Sequence, residues 1–232
     1  MKKVLVIDSG SGGLNILASC INSGVGGNFL YYSDQKNLPY GNKTKRELQK
    51  ILSNILEEVA SFFRFDVVLL ACNTLTTSVI DYARRKYSNI LFVGTVPATK
   101  PAFEKYRKDE VLVMATQRTL ENLNEKGLCV SHLPELIDDN LFSLEKLKPY
   151  LTENLSKHIR KKGVVLGCTH YLAVKNIVKD ILPQTEIFDS AGGVSKRMKI
   201  VCGDGDYAVQ FMSSRGDNGM LSSYFRSLLK KS

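Results

Sequence analysis

Short unbroken apolar runs alternate along this chain with longer stretches in which apolar residues recur every third or fourth position. The runs at 67–70 and 164–166 contain only Val and Leu, as expected of parallel strands covered on both faces. Further strands are predicted at 2–7, 28–32, 90–93, 111–114, 128–131, 186–188 and 207–212. Residues 44–63 place Leu48, Ile51, Leu52, Ile55, Leu56 and Val59 on one side of a helix. Helices are also predicted from Leu14, over 76–87 and 98–106, from Leu120, over 144–161 except near Pro149, over 174–181, up to Ile200, and over 220–229. The polar stretch 134–142 reads as a loop. Strands alternating with helices throughout imply mostly parallel sheets.

One pattern occurs twice. Leu70-Ala71-Cys72-Asn73-Thr74 and Leu166-Gly167-Cys168-Thr169-His170 each carry an apolar strand into a small residue, a cysteine and two hydrogen-bonding residues. The polar pairs are expected to cap following helices, whose dipoles and free N–H groups would favour thiolates. The flanks repeat as well: 4–9 resembles 111–116, and Phe92-Val93-Gly94-Thr95 resembles Ile187-Phe188-Asp189-Ser190. Gly94 lies 22 residues beyond Cys72, and Asp189 lies 21 beyond Cys168. The chain therefore reads as two related α/β halves. Ligands in open α/β sheets bind at the carboxyl ends of strands, so facing halves would put a thiol on each side of a shared cleft.

Composition limits the alternatives. The 232 residues, 44% hydrophobic and 24% charged, suit a soluble globular chain with a substantial core. No apolar run reaches the roughly 20 residues that span a bilayer, and the run at 4–7 is too short for a signal segment, so a cytoplasmic protein without membrane attachment is expected. Five cysteines with no CxxC pair argue against a disulfide framework. The net charge of +9 comes from dispersed groups such as Arg84-Arg85-Lys86, Arg160-Lys161-Lys162 and Lys230-Lys231. Without interleaved aromatics or a recognisable motif, no specific nucleic-acid partner is expected. The turn Asp8-Ser9-Gly10-Ser11-Gly12-Gly13 lacks the P-loop ending and the dinucleotide spacing. A carboxylate at its strand tip repels phosphate.

Five motifs in order carry a family resemblance. Asp8-Ser9-Gly10-Ser11-Gly12-Gly13-Leu14, Pro39-Tyr40-Gly41-Asn42-Lys43, Ala71-Cys72-Asn73-Thr74, Val93-Gly94-Thr95-Val96-Pro97-Ala98 and Gly167-Cys168-Thr169-His170-Tyr171 together resemble the glutamate racemases, essentially end to end. The resemblance implies two pseudo-symmetric parallel-sheet α/β domains with the active site in the cleft between them. Residues 1–97 and 204–232 would form one domain and 98–203 the other. It implies a cofactor-independent racemase, needing no metal, that supplies D-glutamate for peptidoglycan. Glutamate would be its partner, and a homodimer its assembly. Cys72 and Cys168 would be the catalytic bases, assisted by Asp8 and His170. Asp8, Ser9, Tyr40, Gly41, Asn73, Thr74, Thr169 and His170 would bind substrate. The sequence departs from the family in its shorter length, in Leu172 where a proline is common, and in Pro134-Glu135-Leu136-Ile137-Asp138 where a Pro-Leu-Val-Glu segment supplies the partner of the histidine. Either Glu135 or Asp138 could take that glutamate's place.

The chemistry suits these residues. Racemising an amino acid without a cofactor means removing a weakly acidic α-proton and replacing it from the opposite face, which takes two flanking acid/base groups. Cysteine, with a reference pKa near 8.5, is readily tuned for the task. A zinc site from Cys72, Cys168 and His170 would lack a fourth ligand. A Cys168–His170 hydrolase leaves Cys72 without a role. An isomerase acting on aspartate, hydantoin or maleate is the nearest enzyme alternative. An anion- or nucleotide-binding module is the non-enzyme alternative.

Overall fold

The strand β1 (Lys3–Asp8) is apolar from Val4 to Ile7, and all four side chains are fully buried. The computed structural model describes residues 1–130 and 132–229. Lys230-Lys231 and the end of the strand expected at 128–131 lie outside the described residues. After β1 come α1 (Gly13–Asn22), β2 (Gly27–Ser33), α2 (Lys45–Ala60), β3 (Val67–Leu70), α3 (Asn73–Lys86) and β4 (Leu91–Gly94). Next are α4 (Thr99–Lys105), β5 (Val111–Met114), α5 (Gln117–Leu123), α6 (Leu133–Asp139), α7 (Lys148–Leu155), β6 (Gly163–Leu166), α8 (Lys175–Ile181) and β7 (Glu186–Phe188). The chain then forms α9 (Ala191–Cys202), β8 (Tyr207–Ser213) and α10 (Asn218–Leu228).

Every strand pairing within the two sheets is parallel, in the orders β4-β3-β1-β2-β8 and β5-β6-β7. The repeat seen in sequence is a repeat of topology. β3 lies between β1 and β4 as β6 lies between β5 and β7. Ile7 pairs with Leu70 as Met114 pairs with Leu166. Each cysteine stands two residues past the second member of its pair. A parallel bridge from Met114 to Leu128 occupies the place that β2 holds in the first sheet, so over the described residues 128–130 the expected strand is one bridge. β8 returns to the first sheet and pairs with β2 along its length.

Both sheets are covered on both faces. One apolar cluster runs from α1 and one face of β1 to Met114, Leu166 and Tyr171, so the two halves share a core. A second packs α2 and α3 against the other face of the first sheet. A third, smaller one holds Ala102, Val113 and Val165. The α2 helix buries the stripe Leu48, Leu52, Ile55, Leu56 and Val59, and starts at a capping box between Thr44 and Glu47. Such a cap contributes about 1 kcal/mol.

Of the loop expected at 134–142, residues 134–139 instead belong to the helix α6. Pro134 stands in its first turn, where a missing N–H costs nothing, and Leu133 and Ile137 bury one side. Pro149 likewise sits in the first turn of α7 and does not interrupt a longer helix. The 144–161 segment is α7 flanked by 3-10 turns at Leu144–Leu147 and Ser156–His158.

Candidate functional site

Cys72 follows β3 and is the residue that enters α3, while Cys168 follows β6 and enters a 3-10 turn at Thr169–Leu172. The polar pairs after them do not cap. Asn73 and Thr74 lie inside the first turn of α3, with Asn73 Nδ2 donating to the Thr95 carbonyl at 3.2 Å. Cys72 and Cys168 are both buried, at 5% and 6% exposure.

The two thiols sit in unlike surroundings. Burial pushes Cys72 up to about 12, with the charges of Asp8 and Cys168 adding to the rise. The Leu75 N–H and His170 act the other way. Desolvation therefore outweighs the helix-start effect expected from sequence, and Cys72 is held as a thiol. Its Sγ lies 4.0 Å from Ser9 Oγ. On the other side, Cys168 Sγ is 3.8 Å from His170 Nδ1. Burial alone would lower His170, but the Asp138 carboxylate raises it well above its ordinary value. His170 Nε2 and Asp138 Oδ1 are 3.2 Å apart. Asp138 stays below its usual range despite burial, held there by His170 and by Ser11. The sequence left Glu135 and Asp138 open; Asp138 faces His170, while Glu135 pairs with His132 at 3.7 Å.

The first half's glycine turn lies directly against this group. A Cβ at Gly10 would run into Asp138 Oδ2 and stand 2.7 Å from His170 Nε2. One at Gly12 would lie 2.5 Å from the His170 backbone N and 2.8 Å from Thr169 Oγ1. These glycines serve close approach between halves. Asp8 is fully buried, and burial raises its carboxyl. It accepts from the Gly10 N–H at 2.9 Å and from Thr169 Oγ1 at 3.1 Å.

Elsewhere in the cleft, Tyr40 donates its hydroxyl to Asp34 at 2.7 Å, so the phenol is committed to a neighbour. Gly41 abuts Thr116, whose Cβ would be 3.0 Å from a Cβ at Gly41. Thr74 bridges the halves through Thr116 and Thr119, at 2.9 and 3.1 Å. Asn73 Oδ1 and Thr95 Oγ1 are buried polar atoms without hydrogen-bond partners among the described residues. A cavity of about 160 Å³ opens between the Pro39–Gly41 side and Glu135 and Tyr171 on the other half. Larger grooves of about 540 and 630 Å³ lie away from both thiols, one along α2 and one beside β5.

Sequence reasoning missed Asp34, Thr119 and Ser11. Thr116 also caps α5, its side chain accepting from the Thr119 N–H. An acid or hydroxyl just past a strand was the available signal for Asp34 and Thr116; the contact of Ser11 had none. Among the described residues no group of three or more His, Cys, Asp or Glu is arranged to hold a metal ion. None of the described helices is long and apolar enough to cross a membrane.

Two parallel α/β units of matching topology, each following a central strand with a buried cysteine, define a two-domain α/β protein with a paired-thiol site. No family model matches the chain. Among curated proteins, glutamate racemase of Clostridium acetobutylicum is 36% identical over 210 residues, covering 84% of this chain and 81% of that protein. Glutamate racemase of Clostridium perfringens is 32% identical over 208 residues, covering 83% and 80%. The chain belongs to the glutamate racemase family. Solved structures share the fold. Glutamate racemase from Campylobacter jejuni superposes with a TM-score of 0.82 at 23% identity, covering 99% of this chain and all of that one. The Escherichia coli enzyme, in complex with L-glutamate and the activator UDP-MurNAc-Ala, gives 0.78 at 24% identity, covering 96% and 95%.

Proposed function

We propose that this enzyme interconverts L- and D-glutamate without a cofactor, by proton transfer between two cysteines on opposite faces of the α-carbon. The observation that carries the reading is the unequal pair of buried thiols at equivalent strand ends. Burial keeps Cys72 protonated, and a charged His170 stands beside Cys168. In the L-to-D direction the Cys168 thiolate takes the α-proton, breaking C–H and forming S–H. The Cys72 thiol then gives its proton to the other face of the carbanion. The reverse direction exchanges the roles, with Asp8 next to Cys72 and His170 next to Cys168 resetting the protons.

Substrate binding falls to Asp8, Ser9, Tyr40, Gly41, Asn73, Thr74, Thr169 and His170. The unpartnered Asn73 Oδ1 is an acceptor suited to an ammonium group, since buried polar atoms are otherwise satisfied. Hydroxyls of Ser9, Thr74 and Thr169 suit the carboxylates. The return of β8 to the first sheet supports dividing the chain into 1–97 with 204–232, and 98–203. The reading also entails a cytoplasmic homodimer feeding D-glutamate into peptidoglycan.

The test is D-glutamate formation from L-glutamate with neither metal nor cofactor added. Racemisation should survive chelators and stop on thiol alkylation. Faster turnover of L-aspartate, or no D-glutamate, would overturn the proposal. The two acids differ by one methylene, worth about 1–3 kcal/mol in a pocket.

A further inference from the structure

Ser11 is the one non-glycine residue between Gly10 and Gly13, and it is almost wholly buried. Its backbone N–H lies 3.2 Å from Asp138 Oδ1, and its hydroxyl donates to the same oxygen in a shorter bond. The two residues are 127 positions apart and belong to opposite halves. The same Asp138 oxygen faces His170 Nε2 at 3.2 Å, and His170 Nδ1 faces Cys168 Sγ at 3.8 Å. A continuous line of polar contacts therefore runs from the first half's turn to the second half's thiol.

From this geometry we propose that Ser11 is a positioning residue for Cys168, acting through Asp138 and His170 across the cleft. The proposal rests on the two-thiol reading of the site. Burying a carboxylate is costly unless it is paired and hydrogen-bonded. Ser11 donates to Oδ1 twice, while Oδ2 has no hydrogen-bond partner among the described residues, so the Ser11 bonds carry that part of the task. Hydrogen bonds to a charged group are about twice as strong as neutral ones. With the charge on Asp138 secured, His170 keeps its proton and stands as an imidazolium beside Cys168. Because Ser11 comes from the opposite half, the line is complete only when the halves are together. The base that takes the α-proton is thereby linked to the joining of the two halves.

The groups that bear on His170 come from several elements. They are Asp138 on α6, Cys168 on its own loop, Asp8 at the end of β1, Cys72 at the start of α3 and Tyr224 on α10. Only Asp138 is touched by Ser11 in the contacts described above, so a change at Ser11 should reach His170 by that route. The geometry also sets apart two cross-cleft contacts of opposite sense. Asp8 of the first half accepts from Thr169 of the second, and Asp138 of the second accepts from Ser11 of the first.

The experiment compares the intact enzyme with Ser11→Ala, Ser11→Thr and Ser11→Val. The last two are nearly the same size and differ in one hydroxyl. The imidazole of His170 is followed by NMR through a pH titration, which only three histidines make assignable. The pH profile of kcat/KM on L-glutamate is measured in parallel. Ser11→Ala and Ser11→Val should bring the His170 midpoint down toward its ordinary value. They should also lower kcat/KM by about 10–100-fold, the scale of a lost hydrogen bond to a charged group. Ser11→Thr should keep both near wild type. An unchanged His170 midpoint in Ser11→Ala, or a Thr variant as impaired as Val, would overturn the proposal. The titration is read without turnover. A wild type that fails to racemise glutamate would sink the functional reading while leaving the link from Ser11 to His170 to be judged on its own.

Discussion

Thr169 Oγ1 donates to Asp8 Oδ2 across 3.1 Å, tying the loop of one cysteine to the strand that flanks the other. The carboxylate that receives this bond is fully buried, and burial holds its pKa up, with the charge of Asp138 adding to the rise. A carboxyl raised in the folded state favours folding below its unfolded value near 3.8. That contribution fades as pH climbs to the folded value, above which the buried charge is a standing cost. Asp8→Asn removes the cost and keeps an acceptor for the Gly10 N–H. It should therefore melt about 2–4 °C higher than wild type at pH 8, as a gain of 1 kcal/mol would give in a chain of this length. Racemisation should fall by about 10²–10⁴-fold. A melting point below wild type at pH 8 would count against this account of Asp8.

Asp138 and His170 make the opposite prediction. The Asp138 pKa is lowered, so its stabilisation is present above about 3.8 and lost as pH falls through the folded value. His170 is raised, so its stabilisation is full below 6.5 and lost as pH rises through its folded value. Replacing Asp138 by Asn removes both. The loss at pH 6 should be on the order of 3 kcal/mol, the scale of breaking a buried ion pair, and should shrink at high pH, where His170 is neutral in either protein. Glu135→Gln should stay within about 0.5 kcal/mol, since Glu135 is half-buried but its partner His132 is exposed, and keep its activity. Denaturant melts of both variants across pH would show the contrast; equal effects at the two positions would refute the choice of Asp138.

Gly10→Ala should impair catalysis more than stability. Its new Cβ meets His170 and Asp138 across the cleft, so the halves cannot close in register. A misplacement of about 1 Å costs on the order of 100-fold in rate. Gly192→Ala, with nothing within 4 Å of the new atom, should be neutral or slightly stabilising within α9. Steady-state rates and melting curves of the pair check this, and unimpaired turnover in Gly10→Ala would contradict it.

Much of this architecture was written in local pattern. The apolar runs of β3 and β6, and the small-Cys-polar sequence after each, sufficed to place both thiols at matching strand ends, because a buried parallel strand has an unmistakable composition. The polar run around Asp138 misled, since Glu135, Asp138 and Asp139 hid the two buried positions, Leu133 and Ile137, that make α6 a helix. Whether a thiol at a helix start gains or loses acidity was also beyond the sequence. That depends on how much water the opposing half excludes, and at Cys72 exclusion prevails. Contacts across the cleft, Ser11 with Asp138 or Thr74 with Thr116, join residues that no spacing relates.

Two-thiol catalysis is tested most directly by incubating L- and D-glutamate in D₂O with the wild type, Cys72→Ala and Cys168→Ala. The wild type should carry deuterium into the α-position of both enantiomers while interconverting them. Each single variant should lose racemisation by more than the 10²–10⁴-fold typical of one acid–base group, because the opposite face loses its proton donor as well. Any deuterium still entering should appear in one enantiomer only: L-glutamate for Cys72→Ala, where Cys168 remains, and D-glutamate for Cys168→Ala. Near-normal racemisation by Cys168→Ala would contradict the two-thiol mechanism outright.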